Sequence, residues 1–221
     1  VLVFSSKQWQ QIRWVAAGIG LATFLVLLMG QLTDAQWLHQ TDQALTHLIR
    51  HPVTPERTWF FRNITRLGNV KFTMLVMLVF TLGLWWRKKR FGAGFFLINV
   101  GIFALVVNTL IKHWIERPRP TILHLVYAGG FSFPSGHSMN VVLMYGSLMI
   151  LCNLYVDRFA LRLVFNALLL LLIITIIVSR VYLGVHFPSD VLAGAGLATF
   201  ELMLSRFLFF KNESVSAKHV N

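Results

Sequence analysis

The sequence predicts an all-α integral membrane protein, a single domain over residues 1–221 built as a six-helix transmembrane bundle, with an extracytoplasmic loop and amphipathic helix between the first two spans. Three observations predict it. The chain is 56% hydrophobic with a mean hydropathy of +0.66, and only 13% of its residues are charged, a balance outside the soluble globular range. Its apolar residues fall into six runs, 13–31, 70–86, 93–111, 138–156, 161–179 and 189–210, each of about 17–22 residues, the length a helix needs to cross a hydrocarbon core. No internal repeat or low-complexity tract divides the 221 residues, a length that suits one domain.

The first run follows Lys7 and Arg13 as the apolar core of a signal peptide would. It is long enough to span, and no small-residue cleavage pattern follows Gly30, so it is expected to stay as an anchor. In the connection 32–69, Trp37, Leu38, Leu45, Leu48 and Ile49 recur near helical spacing with Asp42, Gln43 and His47 between them. That pattern predicts an amphipathic helix, lying on the membrane surface or packed on the bundle. The polar tail after Phe210 carries no apolar run and is expected to be mobile.

The formal net charge of +12 would suggest nucleic acid in a soluble chain. Here many basic residues sit in short segments between apolar runs, where they set topology and meet anionic headgroups, and no nucleic-acid motif appears. The single cysteine, Cys152, lies inside an apolar run and supports neither a disulfide framework nor a cysteine-based metal site. With the N-terminus inside, Lys7, Arg13, Arg87, Lys88, Lys89, Arg90, Arg158, Arg162, Arg206, Lys211 and Lys218 face the cytoplasm. Arg50, Arg57, Arg62, Arg66, Lys71, Lys112, Arg117, Arg119 and Arg180 face the other side. The totals are close, but Arg87–Arg90 fills one tight turn, so both termini are expected inside. The tripeptides Asn63-Ile64-Thr65 and Asn212-Glu213-Ser214 match the glycosylation sequon, which arises often by chance.

Three polar clusters stand at span ends: Lys112–Pro120 leaving the third span, Phe131–Ser138 entering the fourth, and Ser179–Asp190 joining the fifth and sixth. Alternating spans bring all three to one membrane face, and ionisable groups at that depth point to function. Lys112, Arg119 and Arg180 offer three positive charges to the oxygens of a phosphate ester. Ser135 can cap the fourth helix and Gly136 lets backbone approach closely, so free N–H groups face an anion. His186 and His137 bring nucleophilic or acid–base capacity near neutral pH. Asp190, four residues after His186, can accept a hydrogen bond from its Nδ1 and leave Nε2 free to attack. His186 and Asp190 could instead be two ligands of a metal, but the clusters supply no third and fourth ligand, so none is expected. His39, His47, His51, His113, His124 and His219 lack comparable company.

The clusters resemble the tripartite signature of the type 2 phosphatidic acid phosphatase superfamily. Its first part, lysine, six residues, then Arg-Pro, reads here as Lys112 to Arg119-Pro120. Its second is Pro134-Ser135-Gly136-His137. Its third is Ser179-Arg180 through His186 to Asp190. The motifs cover about 80 residues in the family's order, and the six-span layout extends the similarity over most of the chain. The resemblance implies that His186 is the nucleophile that forms a phosphohistidine, Asp190 its orienting partner, and His137 the general acid and then base. It implies that Lys112, Arg119, Ser135, Gly136 and Arg180 hold the phosphate, with no cofactor and no metal. Arg117-Pro118 forms a second Arg-Pro pair out of register, leaving Arg117 free for a headgroup or a second phosphate.

A phosphate site at the membrane edge suits a substrate whose tail stays in the bilayer, so the expected partner is a membrane lipid phosphate: phosphatidic acid, phosphatidylglycerol phosphate or undecaprenyl pyrophosphate. The small size resembles bacterial members of the phosphatidylglycerophosphatase B and undecaprenyl pyrophosphate phosphatase types, in the cell membrane. Tyr127–Phe133 is a candidate lining for the tail's entrance. A phosphotransferase would use the same residues. Six spans argue against a vanadate-binding haloperoxidase, and the intact His186, His137 and Asp190 argue against a binder or transporter without activity. The sequence is silent on oligomeric state.

Overall fold

The structure, a computed structural model, describes residues 6–211; the polar tail, with Lys218, His219 and the Asn212 sequon, lies outside the described residues. Regular structure among the described residues is entirely helical. Helix α1 runs Ser6–Leu32, α2 Gln36–Arg50, and α3 Pro55–Ile64 continues as a 3-10 turn, Thr65–Gly68, before α4, Val70–Trp86. Helix α5, Arg90–Leu97, a π-helical stretch, Ile98–Val107, and α6, Asn108–Ile115, form one crossing. Helices α7, Gly136–Tyr155, α8, Phe159–Tyr182, and α9, Pro188–Phe210, complete the chain.

Five of these stretches are long and apolar enough to cross a membrane: Lys7–Leu32, Arg90–Ile115, Gly136–Tyr155, Phe159–Tyr182 and Pro188–Phe210. They contain five of the six predicted runs, apart from a residue at one boundary. The run at 70–86 coincides with α4, which at 17 residues is short and gains length only together with the segment Pro55–Gly68, from which it bends by 44°. Helix α1 begins seven residues before the apolar run does, because helix continues through the polar Ser6–Gln11 segment.

Helix α7 is the hub. It is buried without a break from Ser138 to Leu148 and lies between α8, α9 and the π-helical stretch. Its own Met139 and Leu143, and Phe95, Phe96 and Ile176 around it, are almost wholly inaccessible. On α9's other side runs α1. A Cβ on Gly20 would meet the Gly196 carbonyl, and one on Gly196 would meet that of Gly20, so these two glycines let the backbones touch, as small residues do in membrane helix pairs. Helix α8 by contrast exposes Leu161, Leu163, Val164, Leu168 and Leu171, an apolar face that water would not tolerate and lipid would.

Helix α2 forms where its periodicity predicts and packs on α8 and α9 at the end of the bundle. Its inward face is Leu38, Asp42 and Arg50, with Leu45 and Ile49 half-buried, while Trp37 and Leu48 are exposed. Asp42 therefore does not belong to the polar side, as the sequence suggested. At positions 38, 42, 45 and 49 the helical repeat puts it within the apolar stripe.

Candidate active site

The three motif segments converge at one end of the bundle, opposite the Arg87–Arg90 turn. The π-helical stretch sets the phase of α6, so that Asn108 and Lys112 face inward, and Glu116, in the left-handed region at φ 51°, ends the helix. The chain then returns beneath itself: Ser132 N donates to Arg117 O at 2.8 Å. Ser135 caps α7, accepting from Ser138 N at 3.4 Å, and its own N–H donates to Asp190 O at 3.0 Å. That contact joins the second motif to the third and depends on Gly194, where a Cβ would stand 2.7 Å from Ser135 O. Gly136 sits against Asn108, whose Oδ1 a Cβ would meet at 3.1 Å.

His186 is 3% exposed, at the turn between α8 and α9. Its Nδ1 lies 3.3 Å from Asp190 Oδ2 and 3.3 Å from Ser132 Oγ. Its Nε2 lies 3.3 Å from Arg119 Nη1. A guanidinium only donates, so Nε2 is the lone-pair nitrogen and Nδ1 carries the hydrogen directed at Asp190. Asp190 is held by the N-terminus of its own helix as well: Oδ2 accepts from Phe187 N at 2.8 Å and from Ser132 Oγ. Burial draws the His186 pKa down to about 3; the hydrogen bond and charge of Asp190 oppose that shift, and Arg180 and Arg119 add to it. The imidazole is therefore neutral at physiological pH.

The cations form a ring around this dyad. Arg119 spans the cleft, donating to Val185 O at 2.6 Å, Gly130 O at 3.0 Å and Gly129 O at 2.9 Å; burial lowers its pKa and Asp190 opposes the shift. Lys112 Nζ donates to Phe131 O at 2.7 Å and Ser132 O at 3.2 Å. Arg180 is 4% exposed; its Nη1 donates to Thr65 Oγ1 at 2.8 Å, while Nε has no protein partner. His137, on the first turn of α7, contacts Asn69 Oδ1 through Nε2 at 2.8 Å. Arg180, His186, Arg119 and Lys112 are all within electrostatic reach of its ring. The segments 112–119, 135–137 and 180–190 thus bring Lys112, Arg119, Ser135, Gly136, His137, Arg180, His186 and Asp190 to one locality.

The sequence profile of the PAP2 superfamily matches residues 93–213, which include all eight. The chain belongs to the PAP2 superfamily. It is 33% identical to phosphatidylglycerophosphatase B of Bacillus subtilis over 178 residues, 79% of this chain and 85% of that one. Lipid A 4'-phosphatase of Bacteroides thetaiotaomicron is 31% identical over 115 residues, 47% of this chain and 48% of the relative. Among solved structures, the transmembrane PAP2-type phosphatidylglycerolphosphate phosphatase of Bacillus subtilis superposes with a TM-score of 0.79 at 26% identity, covering 88% of this chain and 98% of that one.

Several residues around this candidate site were not singled out for it from the sequence. Ser132, Thr65 and Asn69 touch the dyad, Arg180 and His137, and the last two lie in the long connection, where nothing local marks them. Arg117 was noticed as half of an extra Arg-Pro pair. It does not reach outward to a headgroup: it is 4% exposed and ion-paired to Asp190 and Asp42. Asp42 carried a usable signal, an acid within an apolar stripe. Of the expected entrance lining, Phe133 is buried and stacked on Phe24, whereas Tyr127 is fully exposed.

Proposed function

We propose that this chain hydrolyses a lipid phosphate ester at the extracytoplasmic face of a cell membrane, through a phosphohistidine on His186 and without a metal. One observation carries the reading: a buried neutral imidazole has its lone pair on Nε2, its other nitrogen on a carboxylate, and three cations around it. In the first step the Nε2 lone pair attacks phosphorus and the bond to the leaving oxygen breaks. That oxygen takes a proton from His137. In the second step water gives a proton to His137 and attacks the same phosphorus, the P–N bond breaks, and its electron pair returns to Nε2. Lys112, Arg119 and Arg180, with the Ser135 hydroxyl and the N–H of Gly136, stabilise the charge on the equatorial oxygens. Three fixed cations do what a metal would otherwise do. The orientation rests on the Arg87–Arg90 turn at the end opposite the site. The Bacillus relative makes phosphatidylglycerol phosphate the first substrate to try, beside phosphatidic acid and undecaprenyl pyrophosphate.

Phosphate release by purified protein in EDTA tests the reading. Release from at least one of the three lipids is expected, with a loss of more than about a thousandfold in His186→Ala. Equal release by that variant, or none from any lipid by the wild type, would sink it; transfer of label to an added lipid alcohol in place of water would make the chain a phosphotransferase.

A further inference from the structure

Behind the dyad, on the Nδ1 side of His186, lies a buried ionic relay whose central cation, Arg117, is none of the defining positions of the three signature motifs. Arg117 Nη1 donates to Asp190 Oδ1 at 2.7 Å and to Ser189 Oγ at 2.8 Å, and Nη2 donates to Asp42 Oδ2 at 2.8 Å. Its Cζ stands 4.1 Å from the centroid of the Phe187 ring. Asp42 is 2% exposed; it also accepts from Ser189 N at 2.8 Å and Ser189 Oγ at 2.6 Å. The fork thus ties a carboxylate of α2 to the carboxylate beside His186, and a guanidinium held on both sides cannot rotate away.

Charge gives the arrangement its purpose. If Arg117 faced Asp190 alone, the pair would be neutral and Asp190 would offer little field to an imidazolium. With Asp42 on the other prong, the trio carries a net charge of −1, which a cationic imidazole would balance. In a site this buried such terms are weakly screened. Phosphorylation of Nε2 with the Nδ1 hydrogen retained creates that cation.

We infer that Asp42 and Arg117 are positioning residues for the phosphorylation of His186. Arg117 fixes the Asp190 carboxylate against Nδ1, and Asp42 offsets the Arg117 charge so that Asp190 still stabilises the phosphohistidine cation. The inference rests on His186 being the nucleophile. It also gives α2, a helix outside the crossings, a part in the chemistry.

The test is single-turnover phosphorylation with phosphatidylglycerol phosphate labelled on the terminal phosphate, quenched in base, where phosphohistidine survives. Wild type is expected to show an acid-labile phosphoenzyme that His186→Ala lacks; its absence from a wild type that turns over would refute the nucleophile itself and this proposal with it. Given that signal, Asp42→Asn leaves Arg117 uncompensated and is expected to slow phosphorylation by about a hundredfold with KM within about twofold. Adding Arg117→Met removes the excess charge. The double variant is expected to phosphorylate about tenfold faster than Asp42→Asn alone. A role confined to anchoring α2 predicts the opposite order, because the double variant loses every ionic contact. A double variant no faster than the single one, or Asp42→Asn within twofold of wild type, overturns the proposal. Should the single variant not fold, the double is compared with wild type: a loss of at most about tenfold is expected, and one beyond about a hundredfold overturns the proposal.

Discussion

Arg119 concentrates more of the site's geometry than any other side chain: its guanidinium is held by four loop carbonyls and still lies 3.3 Å from His186 Nε2. A lysine would keep the charge but could not hold the loop and face the imidazole together. Arg119→Lys is therefore expected to lower kcat/KM by about a hundredfold, near 3 kcal/mol, measured on the best lipid of the panel; a loss under about threefold would mean that only the charge matters. The depressed pKa of His186 makes a second prediction. Its folded value, about 3, lies below the ordinary 6.5, so between those values the unfolded chain binds the extra proton and the native site does not. Stability from this group is full above about pH 6.5 and is lost as pH falls toward 3. As the proposed nucleophile, His186 in turn stays unprotonated through pH 5. The acid limb of kcat/KM should then follow the substrate's own second ionisation, shifting between two lipid phosphates of different pKa. A limb fixed near 6.5 for both would mean that His186 itself titrates there.

At the scale of elements, the site is set by how closely helices approach. Gly194 lets the α7 cap sit on α9, with Ser135 O where a Cβ would be 2.7 Å away. Gly194→Ala must push the second motif off the third by several tenths of an ångström. The expected result is a loss of activity of about a hundredfold with retained helical circular dichroism and a stability loss of about 1–3 kcal/mol; wild-type turnover would show that the cap can shift freely. The segment α3 to α4 belongs to the site by the same logic, since Thr65 and Asn69 hold Arg180 and His137. Little of this was legible from sequence. Periodicity located α2, but surface placement and packing on the bundle were equally compatible with its stripe, and only contact with α8 and α9 decided between them.

For the whole molecule, the alternation of crossings puts the site and the Arg87–Arg90 turn at opposite ends. In a Cys152→Ala background, Tyr127→Cys and Lys88→Cys report the orientation through a membrane-impermeant thiol reagent. Label at position 127 in intact cells, and at 88 only after permeabilisation, is the expected pattern; the reverse would put the site in the cytoplasm. Residues 6–211 form a bundle whose membrane-facing surface, as on α8, is apolar and whose three motif segments gather at one end. By itself the sequence determined the membrane class and five of the crossings to within a few residues, and it picked out eight candidate site positions by their spacing, because hydrophobic run length and i-to-i+n spacing are properties of a linear chain. Only the tertiary structure decided what stands behind them. Asp42 and Asp190 meet on one guanidinium because α2 folds back over the start of α9, and Ser132 reaches the dyad because the 116–135 loop returns beneath α6. Contacts between residues far apart in the chain depend on how helices dock, and no local pattern encodes that.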